Sequence, residues 1–482
     1  MTENDNQSVH AKRTAQPTRS WRNYLSGPIL FLHMFAFVMS LTTSGLYVPF
    51  YISATLFPHR KVSVSTGSIC VVNESVASPE TETIQKKATE FNIYVSLVSG
   101  IPAVIASVFL GAFSDRFGRL FLFLAPSIGQ IISKLILLFI VYYRIDINFI
   151  LIGSAIEGST GGFLALLMAA FSYIADITEN NKQRSVAIAF LEIAVGLGLV
   201  LGRFCTGYFI KATNFVWPQV AACCIYTVVI MIIVFVLPET RKPKTPTETL
   251  SKKMSCVRHV EKIFSFYVSK SAERWKYNIC ILIFFATGIT AVGRSGVDIL
   301  YQISQPFCWD SVKVGWLGAV IGLFQNVICM GMIKVFHLCL NDEGISILGS
   351  ISGISGFMIT AFASTDVMLY IAAVVGGGAV LTLPMIRAIM SRMTSPDKQG
   401  ALFGGIAAIE TACYIVGSLI FNPIYSHTVS IFRGYVYVVM AGMVFISLIL
   451  LLVLVLAPRR VSSKYKINDH TVMKDQQIKV NN

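Results

Sequence analysis

Apolar residues gather along this chain in twelve stretches of the length that crosses a bilayer, beginning near Gly27, Asn92, Leu120, Asn148, Ser185, Val216, Tyr277, Val314, Ile345, Asp366, Ala401 and Tyr435. A helix needs roughly 20 mostly apolar residues to cross about 30 Å of hydrocarbon, so the pattern predicts an all-α membrane protein of twelve transmembrane helices. Twelve is even, which puts both termini on one side. The longest polar interruption, Pro238 to Lys276, divides the spans six and six. The predicted organisation is a tail (1–26), a six-helix bundle (27–237) with a long outside loop at 53–91, a linker (238–276), a second six-helix bundle (277–457) and a tail (458–482). Pro243 and Pro246 open the linker. Val257 to Tyr267 reads either as a short amphipathic helix on the membrane surface or as part of a mobile tether. No small-residue cleavage site follows a short apolar core, so the first span is expected to act as an uncleaved signal anchor.

Composition agrees: 54% of the residues are hydrophobic and 13% charged, too few polar groups to cover a soluble surface of this size. The charges supply orientation. Arg241, Lys242, Lys244, Lys252, Lys253, Arg258, Lys262, Lys270 and Arg274 crowd the linker, and the last tail is also basic. Lys and Arg in short loops favour the cytoplasm, so the linker and both tails are placed inside. This topology accounts for most of the net charge of +14, with anionic inner-leaflet lipid as a contact. Nucleic-acid binding is not expected. The outside loop carries the sequon Asn73-Glu74-Ser75, a candidate for N-glycosylation. Of ten cysteines only Cys70 and Cys308 fall on the oxidising side, which predicts a disulfide joining the two halves. No cysteine and histidine spacing suits a metal, and neither a nucleophile elbow nor a phosphate-cradling loop is present. Neither an enzyme nor a bound cofactor is expected.

Between the second and third spans lies Gly111-Ala-Phe-Ser-Asp115-Arg116-Phe-Gly118-Arg119, a tight charged hairpin whose ionic groups can bridge neighbouring helix ends. Further charges fall inside spans, where each costs roughly 2.5 to 3.5 kcal/mol on insertion scales and therefore faces a cavity or a partner. Glu192 in span five, Arg387 in span ten, Glu410 in span eleven and Glu157 in span four are cavity candidates. Arg294 and Asp298 in span seven are four apart, a spacing that lets them neutralise each other on one helix face. Lys134 and Arg203 are weaker candidates, and His33 reads as a packed histidine. The glycines at 196, 198, 202 and 207 suit close helix packing.

Several motifs carry a closer resemblance. Phe171-Ser-Tyr-Ile-Ala-Asp176-Ile-Thr, Leu191-Glu192, Pro306-Phe-Cys308-Trp309-Asp310-Ser311, Ile386-Arg387-Ala388, Gln399-Gly-Ala-Leu-Phe403 and Phe421-Asn422-Pro-Ile-Tyr425 resemble the proton-coupled folate transporter family of the major facilitator superfamily. The resemblance implies a carrier that moves folates or other organic anions with protons by alternating access. It further implies proton coupling at Glu192, substrate and proton handling at Arg387, and gating by the hairpin acid and base, Asp115 and Arg119, with Asp176. The chain departs from the family in span seven, where Thr290 to Asp298 contains no histidine. In span four the acid is Glu157, out of register with the family's aspartate. The expected partners are a small organic anion, a proton and the bilayer. The expected location is the plasma membrane, with an endosomal or lysosomal membrane as the alternative. The competing expectation is a receptor or scaffold that keeps the fold without transport. Oligomeric state is not read from the sequence.

Overall fold

A computed structural model describes residues 25–59, 70, 79–178, 181–240, 274–394 and 399–456. Asn73, the linker from 241 to 273, both tails and the side chain of Asp115 lie outside the described residues. Every regular element among the described residues is helical, and twelve of the helices or helix pairs are long and apolar enough to span a membrane.

The first half contains Ser26–Leu56, Pro79–Phe117, Arg119–Tyr143, a fourth span in two pieces (Ile150–Ser159 and Gly162–Ile177), Asn181–Ala212 and Val216–Phe235. The second contains Arg274–Val292 continued by Ser295–Ile303, then Ser311–Gly322 running through Leu323–Cys329 to Ile333–Cys339. It closes with Asp342–Ala361, Asp366–Val375 continued through Gly376–Leu381 to Thr382–Met393, Gln399–Thr428 and Tyr435–Leu456. These are spans one to twelve in chain order.

Two expectations about boundaries need correction. The second span does not start near Asn92: its helix already begins at Pro79, so the end of the expected outside loop is helical. Proline suits a first helical turn because its missing N–H would be unpaired there anyway, and Glu80 and Glu82 follow where the helix dipole favours acids. The hairpin is also tighter than expected. Helix runs through Phe117 and resumes at Arg119, leaving Gly118 alone at the turn with φ of 90°.

Four spans are discontinuous. Span four breaks at Gly161, whose φ of 88° suits glycine. Span seven breaks at Gly293, which abuts Gly417 of span eleven so closely that a Cβ on Gly293 would lie 2.4 Å from the Gly417 Cα. Span eight contains a π-helical stretch, Leu323–Cys329, and span ten a 3-10 stretch, Gly376–Leu381. Breaks of this kind carry binding sites in carriers built from repeats.

The predicted disulfide is present: Cys70 and Cys308 are bonded, with Cα atoms 5.7 Å apart. It marks the outer side. On that side the halves are tied by hydrogen bonds from Ser311 to the Gly207 carbonyl (3.0 Å), from Tyr425 to Gln85 (3.1 Å) and from Trp316 to Tyr208 (3.0 Å).

Candidate functional site

The inner charges assemble into one group. Arg387 lies just past the 3-10 stretch of span ten, and its Nη2 donates to Glu410 Oε2 of span eleven at 2.7 Å. The face of its guanidinium sits over the Phe284 ring of span seven, 5.3 Å from the centroid. A planar cation held edge-on by a carboxylate and face-on by a ring keeps a fixed orientation. Glu192 of span five comes from the other half and is within electrostatic reach of both Arg387 and Glu410. Its carboxylate makes no hydrogen bond or ion pair among the described residues, and it is exposed. Three helices from two halves thus bring two acids and one arginine together, although the residues are far apart in sequence.

Glu157 belongs elsewhere. Its carboxylate accepts hydrogen bonds from Gln130 (3.0 Å), Ser133 (3.2 Å) and Lys134 (2.8 Å), all on span three. These are three donors on one carboxyl group. Glu157, expected at a cavity, is engaged within the first half, because Gln130, Ser133 and Lys134 share the helix face that meets span four. His33 is fully buried with its ring edge-on to Tyr226, a packed histidine as expected.

Two of the residues expected to gate, Arg119 and Asp176, meet in a joint between helix ends. Arg119 Nε donates to Asp176 Oδ2 at 2.7 Å, linking the start of span three to the end of span four. A third member was missed in the sequence. Glu239, just after span six, accepts from the backbone N–H groups of Arg119 (2.8 Å) and Leu120 (3.0 Å), which lie at the helix start where a carboxylate is favoured. Gly118 is needed there, since a Cβ would sit 2.4 Å from Glu239 Oε2. Only the acid directly after Pro238 hinted at this, and nothing in the sequence ties it to a turn 120 residues away.

The outer charge pair forms, with Arg294 Nε 3.4 Å from Asp298 Oδ2. It does so across a helix restart, not along a continuous helix as expected: Arg294 occupies the N-cap of the second piece of span seven. Tyr437 of span twelve donates to the other carboxylate oxygen at 3.0 Å. Asp298 lines two cavities of about 140 Å³ each. One lies within the second half, among spans seven to ten and twelve, and includes Arg294. The other lies between the halves and includes Arg203, Asn92 and Asn422. Among the described residues no group of histidine, cysteine and acids is placed to hold a metal.

Twelve spans in two halves, with charged groups meeting at a cavity between them, define a membrane carrier. The profile of the Major Facilitator Superfamily matches residues 76–336, and the chain belongs to that superfamily. It is 26% identical to the lysosomal proton-coupled steroid conjugate and bile acid symporter of Gallus gallus, over 87% of this chain and 91% of that protein. It is 27% identical to the proton-coupled folate transporter of Bos taurus, over 88% and 90%. These relatives bear out the resemblance read from the motifs. Among solved structures, the human organic anion transporter MFSD10 matches with a TM-score of 0.62 at 14% identity, over 90% of this chain and all of that one. A peptide transporter in complex with sulfate matches with a TM-score of 0.64 at 13% identity, over 94% and 98%. The chain is thus a multi-pass membrane transporter, not an enzyme.

Proposed function

We propose that this carrier moves a small organic anion together with a proton by alternating access, with Glu192 as the proton-coupling carboxyl and Arg387 as the substrate-binding cation. The observation that supports it is the Glu192, Arg387 and Glu410 group, in which two acids from opposite halves act on one arginine. With Glu192 ionised, the guanidinium faces two carboxylates and the group carries a net negative charge that repels an anion. A proton on Glu192 leaves one cation against one carboxylate, and an incoming anion can then compete for the arginine fork. Protonation and anion binding thereby favour each other. A ligand shifts the equilibrium between outward and inward forms only by its difference in affinity for them, and a cation of one half under the field of an acid from the other supplies such a difference. The coupling ion is the proton, and no other cofactor enters the cycle.

The joint of Arg119, Asp176 and Glu239 serves in this reading as the inner latch, with Asp115 on the same hairpin. The membrane is the plasma membrane; a lysosomal placement, which some relatives carry in their names, would make the same chemistry an export to the cytosol.

Uptake of radiolabelled folic acid and taurocholate into cells expressing the full chain, at acidic and neutral external pH, tests the mechanism. Uptake is expected to be faster at acidic pH. Glu192→Gln should abolish that difference, and Arg387→Ala should lower uptake at least about tenfold, the loss of one charge-assisted contact, at normal surface expression. Full, pH-dependent uptake by both variants would sink the mechanism. Asp176→Asn should slow uptake while leaving equilibrium binding of the same anions unchanged; an equal loss of binding would place Asp176 at the substrate and remove it from the latch.

A further inference from the structure

We infer that Arg203, in the outer part of span five, forms a second anion position in the cavity between the halves, one that takes the carboxylate, sulfonate or sulfate head of the transported solute. The inference rests on the carrier reading above and adds a residue and a ligand chemistry to it.

Arg203 lines that cavity together with Asp298 and is within electrostatic reach of both Asp298 and Arg294. Its surroundings make room for it. A Cβ on Gly318 of span eight would lie 2.4 Å from Arg203 Cδ, and one on Gly315 would lie 2.8 Å from the Arg203 carbonyl oxygen. Glycine at both positions lets span five come close and lets the long side chain run along span eight into the cavity.

The charges do not balance. Asp298 is the acid acting on Arg203, yet its carboxylate already accepts from Tyr437 on one oxygen and faces Arg294 on the other. Arg294 is further held over the Phe357 ring, 5.5 Å from its centroid. Arg203 makes no hydrogen bond or ion pair among the described residues, and it is half-buried. Two cations therefore share one carboxylate, and the one left over points at open space inside a membrane protein. An uncompensated charge inside a membrane span is costly and favours a partner of opposite sign. An oxyanion entering the cavity removes that cost and meets a guanidinium fork of matching geometry. Because Asp298 competes for the same cation, it weakens the anion and keeps the site from holding it too tightly.

Equilibrium binding of radiolabelled taurocholate, a sulfonate, and folic acid, a dicarboxylate, to the full chain in lipid nanodiscs tests this, with potassium sulfate as competitor and thermal melting as the folding control. The wild-type protein is expected to bind at least one of them in competition with sulfate. Arg203→Gln should weaken that binding at least about tenfold, Arg203→Lys should weaken it less because charge is kept and the fork lost, and Asp298→Asn should tighten it. The opposite signs separate an anion site from a structural ion cluster, and the lysine and asparagine variants decide if the glutamine variant does not fold. Unchanged binding by Arg203→Gln, weakening by Asp298→Asn, or no binding of either anion to the wild type would overturn the inference. The two readings fail separately. Uptake that keeps its pH dependence in Glu192→Gln removes the coupling mechanism with the Arg203 site intact, and indifference to Arg203 removes this site with proton-driven uptake intact.

Discussion

The carboxylates of Glu157 and Glu410 look alike in sequence, each an acid within an apolar span, and their neighbours give them different work. Glu157 faces a helix that offers Gln130, Ser133 and Lys134, so its charge is answered inside one half. Glu410 meets a single arginine that is itself half-open. Removing one partner of a closely paired buried charge strands the other, at a cost on the order of 3 kcal/mol. Lys134→Met is therefore expected to lower the melting temperature of the purified carrier, and Lys134→Met combined with Glu157→Gln to recover most of it. Melting curves of the two proteins check this, and a double variant no more stable than the single one would show that the pair is not the cause. The existence of buried charges was legible in the sequence because each interrupts a run of apolar residues. Their partners were not, since Glu157 with Lys134, Arg387 with Glu410 and Arg119 with Asp176 join separate helices. Only the Arg294 and Asp298 pair, local in sequence, could be read directly.

Span positions were legible because hydropathy is a property of composition over a window, and lipid imposes the length. What happens inside a span depends on contact with another span. Gly293 and Gly417 illustrate this: neither is unusual alone, and only their mutual approach explains why span seven can break where span eleven crosses it. A Cβ on Gly417 would lie 2.6 Å from the Gly293 Cα, whereas nothing lies within 4 Å of one on Gly442. Gly417→Val is thus expected to push the two spans apart, lowering the melting temperature and uptake together, while Gly442→Val should leave both near wild type. Thermal melting and uptake of the two variants measured in parallel decide it. The start of span two was misplaced for a related reason. Its first turns carry Glu80, Glu82, Lys86, Lys87 and Glu90, so they do not read as membrane helix, yet Lys86 pairs with Glu82 at 2.5 Å and the chain is helical from Pro79.

At the scale of the whole molecule, the two halves are joined by the chain between residues 240 and 274 and by the Cys70–Cys308 bond. If a protease site is placed within 241–273 and cut, the halves should still migrate together in denaturing gels without reductant and separate once it is added. Separation without reductant, or a Cys308→Ser variant that still migrates as one, would exclude the bond in the mature carrier. Hydrogen bonds across the outer side and an exposed Glu192 on the inner side describe a carrier closed towards the disulfide. Span five runs between these two ends. Residues 192 and 203 are eleven apart, about three full turns, so they share one face at a rise of about 16 Å. That helix is in effect a ruler laid along the route: a solute leaving Arg203 travels about three helix turns to the level of Glu192, the acid that acts on Arg387. A solute shorter than this is handed from Arg203 to the Glu192 and Arg387 group, a longer one can touch both, and chain length sets residence time as much as charge does. A series of α,ω-dicarboxylates of increasing length, compared for uptake rate, would show a break near that spacing or refute it.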